Sequence, residues 1–148
     1  MTVMRRYTFK LYPNAAQMEA LDLQQRMAAE LWNALLQRRE DVYRRERRTL
    51  SYFDQSPEIK HLRAECPEWR VPACTMLHKV AENLDEAFKA FFRRIKAGER
   101  QAGYPRFKSL RLADGIPFRN MQNSGWRLTH AAGKNWRLFV KGVPGLIK

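Results

Sequence analysis

Residues 3 to 12 carry a two-residue period. Val3, Arg5, Tyr7, Phe9 and Leu11 fall on one side, and Met4, Arg6, Thr8, Lys10 and Tyr12 on the other. This alternation predicts a half-buried β-strand. A strand leaves a row of N–H and C=O groups that another strand must pair. No neighbouring segment can do so, because Tyr12-Pro13-Asn14 stops the pattern and a helical period follows. The period of two returns only at Ile116–Asn120, Trp126–His130 and Trp136–Lys141, with Ala131-Ala132-Gly133-Lys134-Asn135 as a five-residue hairpin loop between the last two. A first strand whose partners lie beyond a long helical stretch predicts one β-unit interrupted by a helical insertion. The expected fold is therefore α+β, a small antiparallel β-barrel or sheet from residues 1–12 and 104–148, with a three-helix lobe from 13–103 inserted.

The insertion reads as three helices. Asn14 and Gln17 form a capping box, after which Met18, Leu21, Ala28, Leu31, Leu35 and Val42 recur at helical spacing to about Arg48. Arg44-Arg45-Glu46-Arg47-Arg48 then places cations where the helix dipole favours them, and reads as a solvated helix end. Thr49–Gln55 reads as a loop, and Ser56-Pro57-Glu58 as the start of a short helix to Glu65. Cys66-Pro67 breaks it. Val71-Pro72 opens a third helix whose stripe of Leu77, Ala81, Leu84, Phe88, Phe91 and Ile95 runs until Gly98. That stripe is a core or helix-pairing surface.

Charge limits what such a chain can bind. Residues 1–86 hold 14 Lys and Arg against 13 Asp and Glu, whereas residues 87–148 hold 14 against only Glu99 and Asp114. The second part is thus at +12, and its cations are interleaved with rings in Phe91-Phe92-Arg93-Arg94, Tyr104-Pro105-Arg106-Phe107-Lys108, Phe118-Arg119, Trp126-Arg127 and Trp136-Arg137. Phosphate contact combined with base stacking needs that mixture. No run approaches the ~18 apolar residues of a bilayer span, and no segment pairs a Lys-rich face with an insertion face. Nucleic acid is therefore favoured over a membrane, and a cytoplasmic protein is expected. Two cysteines, Cys66 and Cys74, make no disulfide framework and suit a reducing compartment.

Several segments in order resemble the N-terminal half of the TnpB (OrfB) proteins of bacterial insertion sequences, RNA-guided nucleases related to type V CRISPR effectors. They are Phe9-Lys10-Leu11-Tyr12-Pro13, Leu50-Ser51-Tyr52, Asn83-Leu84 with Ala87-Phe88-Lys89-Ala90-Phe91-Phe92, and Tyr104-Pro105-Arg106-Phe107-Lys108. The resemblance runs from about Arg5 to the last residue, where Gly145-Leu146-Ile147-Lys148 looks like the start of a further family strand. It implies a wedge-type β-domain with an inserted recognition lobe, and partners of guide RNA and double-stranded target DNA. The family's nuclease, with three metal-holding carboxylates, and its zinc ribbon lie in a C-terminal half whose motifs are not in this sequence. Binding without hydrolysis, and no cofactor in this chain, are accordingly expected.

By the same resemblance, Tyr52, Cys74, Thr75 and His78 match the surface that reads a short DNA motif. Longer polar or basic side chains are common at positions 74 and 78, so the motif read would differ. Arg93, Arg94, Lys96, Arg100, Arg106, Lys108, Arg111 and Arg119 match a channel for nucleic-acid backbone, with Asn120 and Gln122 as polar contacts near it. Phe107 and Phe118 weigh as packing side chains over stacking ones. Three alternatives stand beside this reading. His61, Cys66, Cys74 and His78 give H-x4-C-x7-C-x3-H, with zinc-type ligands at a spacing that fits no standard finger. The helices could serve a stand-alone helix-turn-helix repressor. An unfinished barrel could also be completed by a second chain or a C-terminal nuclease portion.

Overall fold

A computed structural model describes residues 2–111, 115–119 and 124–148; the expected polar contacts Asn120 and Gln122 lie outside them. Helices α1 (Ala15–Glu46), α2 (Tyr52–Glu65) and α3 (Cys74–Lys96) are followed by a two-stranded antiparallel sheet, β1 (Trp126–Ala132) and β2 (Asn135–Val140). The fold is α+β.

Local chemistry accounts for the helix ends. Asn14 accepts from the Gln17 N–H at 2.9 Å while Gln17 returns a bond to the Asn14 N–H, so two of the orphan donors of α1 are satisfied. The second helix starts four residues before the expected Ser56, because Ser51 and Asp54 form a capping box of their own and Pro57 is tolerated inside the helix. Asp54 lies below its ordinary carboxylate range because the Ser51 backbone and hydroxyl bond its charged form. Pro67–Arg70 forms a 3-10 turn that redirects the chain, and α3 ends at a glycine, Gly98, with φ of +79°.

One core joins the three helices: Leu31, Leu35 and Leu36 of α1, Ile59 of α2, and Met76, Leu77, Val80, Ala81, Leu84 and Phe88 of α3. The expected α3 stripe is therefore core from Leu77 to Phe88, but beyond that residue it opens to solvent, with Ile95 51% exposed. On α1 the buried stripe starts with Gln17 and Gln24, and Met18 is exposed. Within the core lies a polar hub. Arg39 donates to Asp85 at 3.0 Å and to Gln55 at 2.7 Å, Gln55 donates to the Leu35 carbonyl, and Asp85 also accepts from the Tyr52 N–H. Each helix contributes one side chain, so the hub sets their register as well as satisfying buried charge.

A second, smaller core of Val140, Val143 and Ile147 seats the hairpin on Ala20 and Leu21 of α1. Gln17 and Gln24 extend that seat by donating to the carbonyls of Pro144 and Lys141. Gly142 is required there, since its φ is +84° and a Cβ would lie 2.6 Å from the Val71 carbonyl.

The hairpin itself is tighter than expected. Strand pairing runs from Trp126↔Val140 to Ala132↔Asn135 with an irregularity at residue 131, leaving only Gly133 and Lys134 as the turn. Ile147 bridges antiparallel to Leu138 through two 2.9 Å backbone bonds, so the C-terminal residues do begin a further pairing. Two expected strands are not formed. Residues 2–12 are exposed and lie outside any strand, and among the described residues their one backbone bond runs from the Tyr12 N–H to the Lys148 carbonyl. Alternation dictates which way side chains point, but a ladder needs a partner in register: Ile147 takes the outer edge of β2, and residues 9–12 lie beside that C-terminal stretch without running along it. Residues 116–119 are irregular because the Arg119 carbonyl accepts from the Trp126 indole at 2.8 Å and Phe118 wedges between the two cores.

Candidate nucleic-acid interface

The segment from Tyr104 to Arg111 has no regular structure, yet it is strapped along α1. The Trp32 indole donates to the Arg106 carbonyl at 2.8 Å, and Asn33 bonds both the N–H and the carbonyl of Lys108, at 2.7 and 2.9 Å. Lys108 Nζ lies 4.5 Å over the Trp32 ring. These bonds answer for a loop's backbone groups as a ladder would. They hold Arg106, Lys108 and Arg111 along one side of α1, with Arg106 and Arg111 exposed. Phe107 is half exposed and does not enter the core, whereas Phe118 does pack.

At one end of this strap the C-terminal turns of α1 and α3 come together. Arg39 and Tyr43 of α1 line the same hollow as Phe88, Phe91, Phe92 and Ile95 of α3, with Tyr104 closing its wall. The two helices therefore run in the same sense, and their basic last turns, Arg44 and Arg45 on α1 with Arg93, Arg94 and Lys96 on α3, occupy one end of the lobe. Arg47, Arg48 and Arg100 extend that group and are exposed. Asp41 and Glu46 bond Arg44 and Arg48 at the surface, and such pairs trim the field only modestly. The family resemblance assigns Arg93, Arg94, Lys96, Arg100, Arg106, Lys108 and Arg111 to backbone contact, whereas Arg44–Arg48 reads from sequence as a solvated helix end. Nothing local in the sequence shows that the two clusters meet.

The second set of expected residues forms a cluster along the flanks of α2 and α3. The Tyr52 hydroxyl and His78 Nδ1 are 3.2 Å apart, and the Ser56 hydroxyl is 3.4 Å from the same nitrogen. Burial lowers the His78 pKa from its ordinary 6.5, and the positive charge of Arg119 lowers it further against the opposing pull of Glu82. Arg119 bonds Glu82 at 2.5 Å, which raises its own pKa. Of the eight residues expected to grip the backbone, Arg119 is thus engaged by a carboxylate and stands with Tyr52 and His78. Thr75 bonds the Ser124 carbonyl, and Cys74, at the first position of α3, is half-buried. The arrangement brings together tyrosine, histidine, serine, threonine and arginine groups that can donate to or accept from a base edge.

The zinc alternative finds no support in this geometry. His61 is exposed on α2 and Cys66 caps its end, while Cys74 and His78 lie on α3. Among the described residues no three His, Cys, Asp or Glu side chains converge to hold a metal. Both cysteines are free thiols. Among the same residues no helix is long and apolar enough to cross a membrane.

Comparison with known proteins adds a partner class. Residues 1–48 match a family model described as a helix-turn-helix domain, that of OrfB proteins of the IS605 type. The match points to DNA binding. The matched residues include the whole of α1, and α2 begins just beyond them after the short connection 47–51. No curated protein matches the chain.

Proposed function

Because its N-terminal region is that of the TnpB/OrfB IS605 family, we propose that this chain is the nucleic-acid-gripping portion of a TnpB-like, RNA-guided DNA nuclease. In this reading it holds guide RNA and target DNA through backbone phosphates, and the Tyr52–His78 cluster reads a short DNA motif. The observation that carries the proposal is the meeting of Arg44–Arg48, Arg93–Arg100 and the strap cations on one end and side of the lobe. Arginine's planar fork suits phosphate oxygens, and rows of such groups release counterions on binding. Four acidic side chains of the lobe are already engaged by neighbours, which favours gripping over cutting at those positions. Asp85 is committed to Arg39 and Lys89, Glu82 to Arg119, Glu58 to Arg38, and Asp54 to the cap of α2.

The test is the salt dependence of binding to a structured RNA and to duplex DNA. If about six phosphates are neutralised, log affinity on duplex falls with log salt at a slope of roughly −5. A slope near zero would sink the electrostatic reading.

A second reading, a DNA-binding regulator acting without RNA, is favoured by the helix-turn-helix description and the five-residue link between α1 and α2. Against it, Gln55 and Ile59 of α2 are buried in the lobe and the remainder of that helix mixes Asp54, Glu58 and Glu65 with its cations. Sequencing the nucleic acid that copurifies separates the two. A defined structured RNA supports the first, and a specific duplex without RNA supports the second.

A further inference from the structure

Between the last turns of α1 and α3 the lobe leaves an apolar hollow uncovered, with a volume of about 300 Å³. Five of its walls are aromatic: Tyr43, Phe88, Phe91, Phe92 and Tyr104. The inner rings are already ordered edge to face, with Tyr104 standing 5.5 Å from Phe88 and 5.1 Å from Phe91 at nearly right angles. Phe92 and Tyr43 keep about half their surface in solvent, at 45% and 51%. An apolar floor flanked by the basic last turns of two helices is a specific combination. Burial of an exposed ring is favourable for any apolar ligand, but a cationic rim selects one that carries negative charge beside its flat face.

A nucleotide has that construction. Its base is flat and π-bearing, and its phosphate meets arginine bidentately. The hollow lies at the small end of the size range of ligand pockets, about 300 to 1,000 Å³, and so suits one ring system over an extended peptide. The lining also continues directly into a backbone track. Tyr104 forms the wall, and Arg106, Lys108 and Arg111 follow it along α1. A base in the hollow would therefore have cations on both sides along one strand.

We propose that this hollow takes one unpaired nucleobase of a single-stranded nucleic-acid segment whose phosphates lie on the arginines of the two helix ends and along the strap. The site rests on the nucleic-acid reading above and refines it, since a continuous duplex presents phosphates but no free base. The ring of Phe92 is the stacking partner, and Tyr43 bounds the opposite side.

Binding of the whole chain to a short mixed-sequence single strand carrying 2-aminopurine, and to the duplex made from it, tests this in DNA and in RNA form. For the wild type, the single strand is expected to bind with quenching of 2-aminopurine emission. In Phe92→Ala and, separately, Tyr43→Ala, single-strand affinity should fall about 5- to 100-fold while duplex affinity and its salt slope stay unchanged. The tighter of the DNA and RNA arms identifies the source of the base. Three results overturn the site: unchanged single-strand affinity in both variants, equal losses for single strand and duplex, or unquenched emission on binding. Tighter binding of a glutamate- and phenylalanine-rich peptide, abolished by Phe92→Ala, would reassign the hollow to a protein partner. If the wild type binds neither strand form in a salt-dependent way, the nucleic-acid reading itself fails, which is a different outcome from loss of the site alone.

Discussion

Replacing Arg39 with methionine should be among the most damaging single substitutions in the helical lobe. Its side chain is only 3% exposed, and it donates to Asp85 and Gln55 while its guanidinium lies 4.8 Å over the Phe88 ring. Methionine keeps most of the volume but leaves the Asp85 carboxylate in place, 12% exposed, and strands the Gln55 oxygen. Breaking a buried ion pair from one side costs about 3 to 5 kcal/mol. Asp85 retains Lys89 at 3.1 Å and the Tyr52 N–H at 3.0 Å, so the lower end applies, about 3 kcal/mol. In a chain of this size that corresponds to a fall in melting temperature of about 6 to 12 °C. Burial pushes the Asp85 pKa up, but bonds from Arg39 and Lys89 outweigh it and hold it below the ordinary 3.8. In the wild type, Asp85 therefore adds stability that is present above 3.8 and is lost as pH falls through its depressed value. Without Arg39 the burial effect is far less opposed, the pKa moves up, and the stability gap between variant and wild type should narrow as pH falls. Urea unfolding across that range reads both effects. A loss under about 1 kcal/mol at neutral pH, or a gap that widens in acid, would refute the account of the hub.

Further predictions follow from the strap and the polar cluster. Asn33→Ala removes both bonds to the Lys108 backbone without altering charge; nucleic-acid affinity should drop and amide exchange from Arg106 to Ser109 should rise. Faster exchange with unchanged affinity would detach the strap from binding. Because the His78 pKa is depressed below 6.5, its contribution to stability is fully present above that pH and is lost as pH falls through the lowered value. His78→Gln should flatten the corresponding part of the stability curve, and an unaltered curve in urea titrations would place the titration elsewhere.

Much of the helical lobe was legible because caps and periods are local chemistry. Asn14 with Gln17, the stripe from Leu77 to Phe88 and Gly98 each act within a few residues, and each is found where expected. The start of α2 was equally local: Ser51 and Asp54 satisfy each other as a capping box, a signal hidden beside the more conspicuous Ser56-Pro57. The polar hub was less legible. Arg39 and Asp85 are 46 positions apart, and a charge on an apolar face reveals its partner only once the helices are packed.

The sequence by itself determined three helices, a C-terminal hairpin and a basic second half, and the helices and hairpin arise from neighbours a few residues apart. Tertiary structure alone decided that Arg44–Arg48 of the nearly neutral first half join Arg93–Arg100 at one end of the lobe. It also decided that residues 2–12 keep a strand's alternation without a strand's partners. The physical reason is the same in both cases. A side-chain period specifies a face, but which face or edge it meets depends on how the intervening chain closes, and the buried hub and the strap determine that closure.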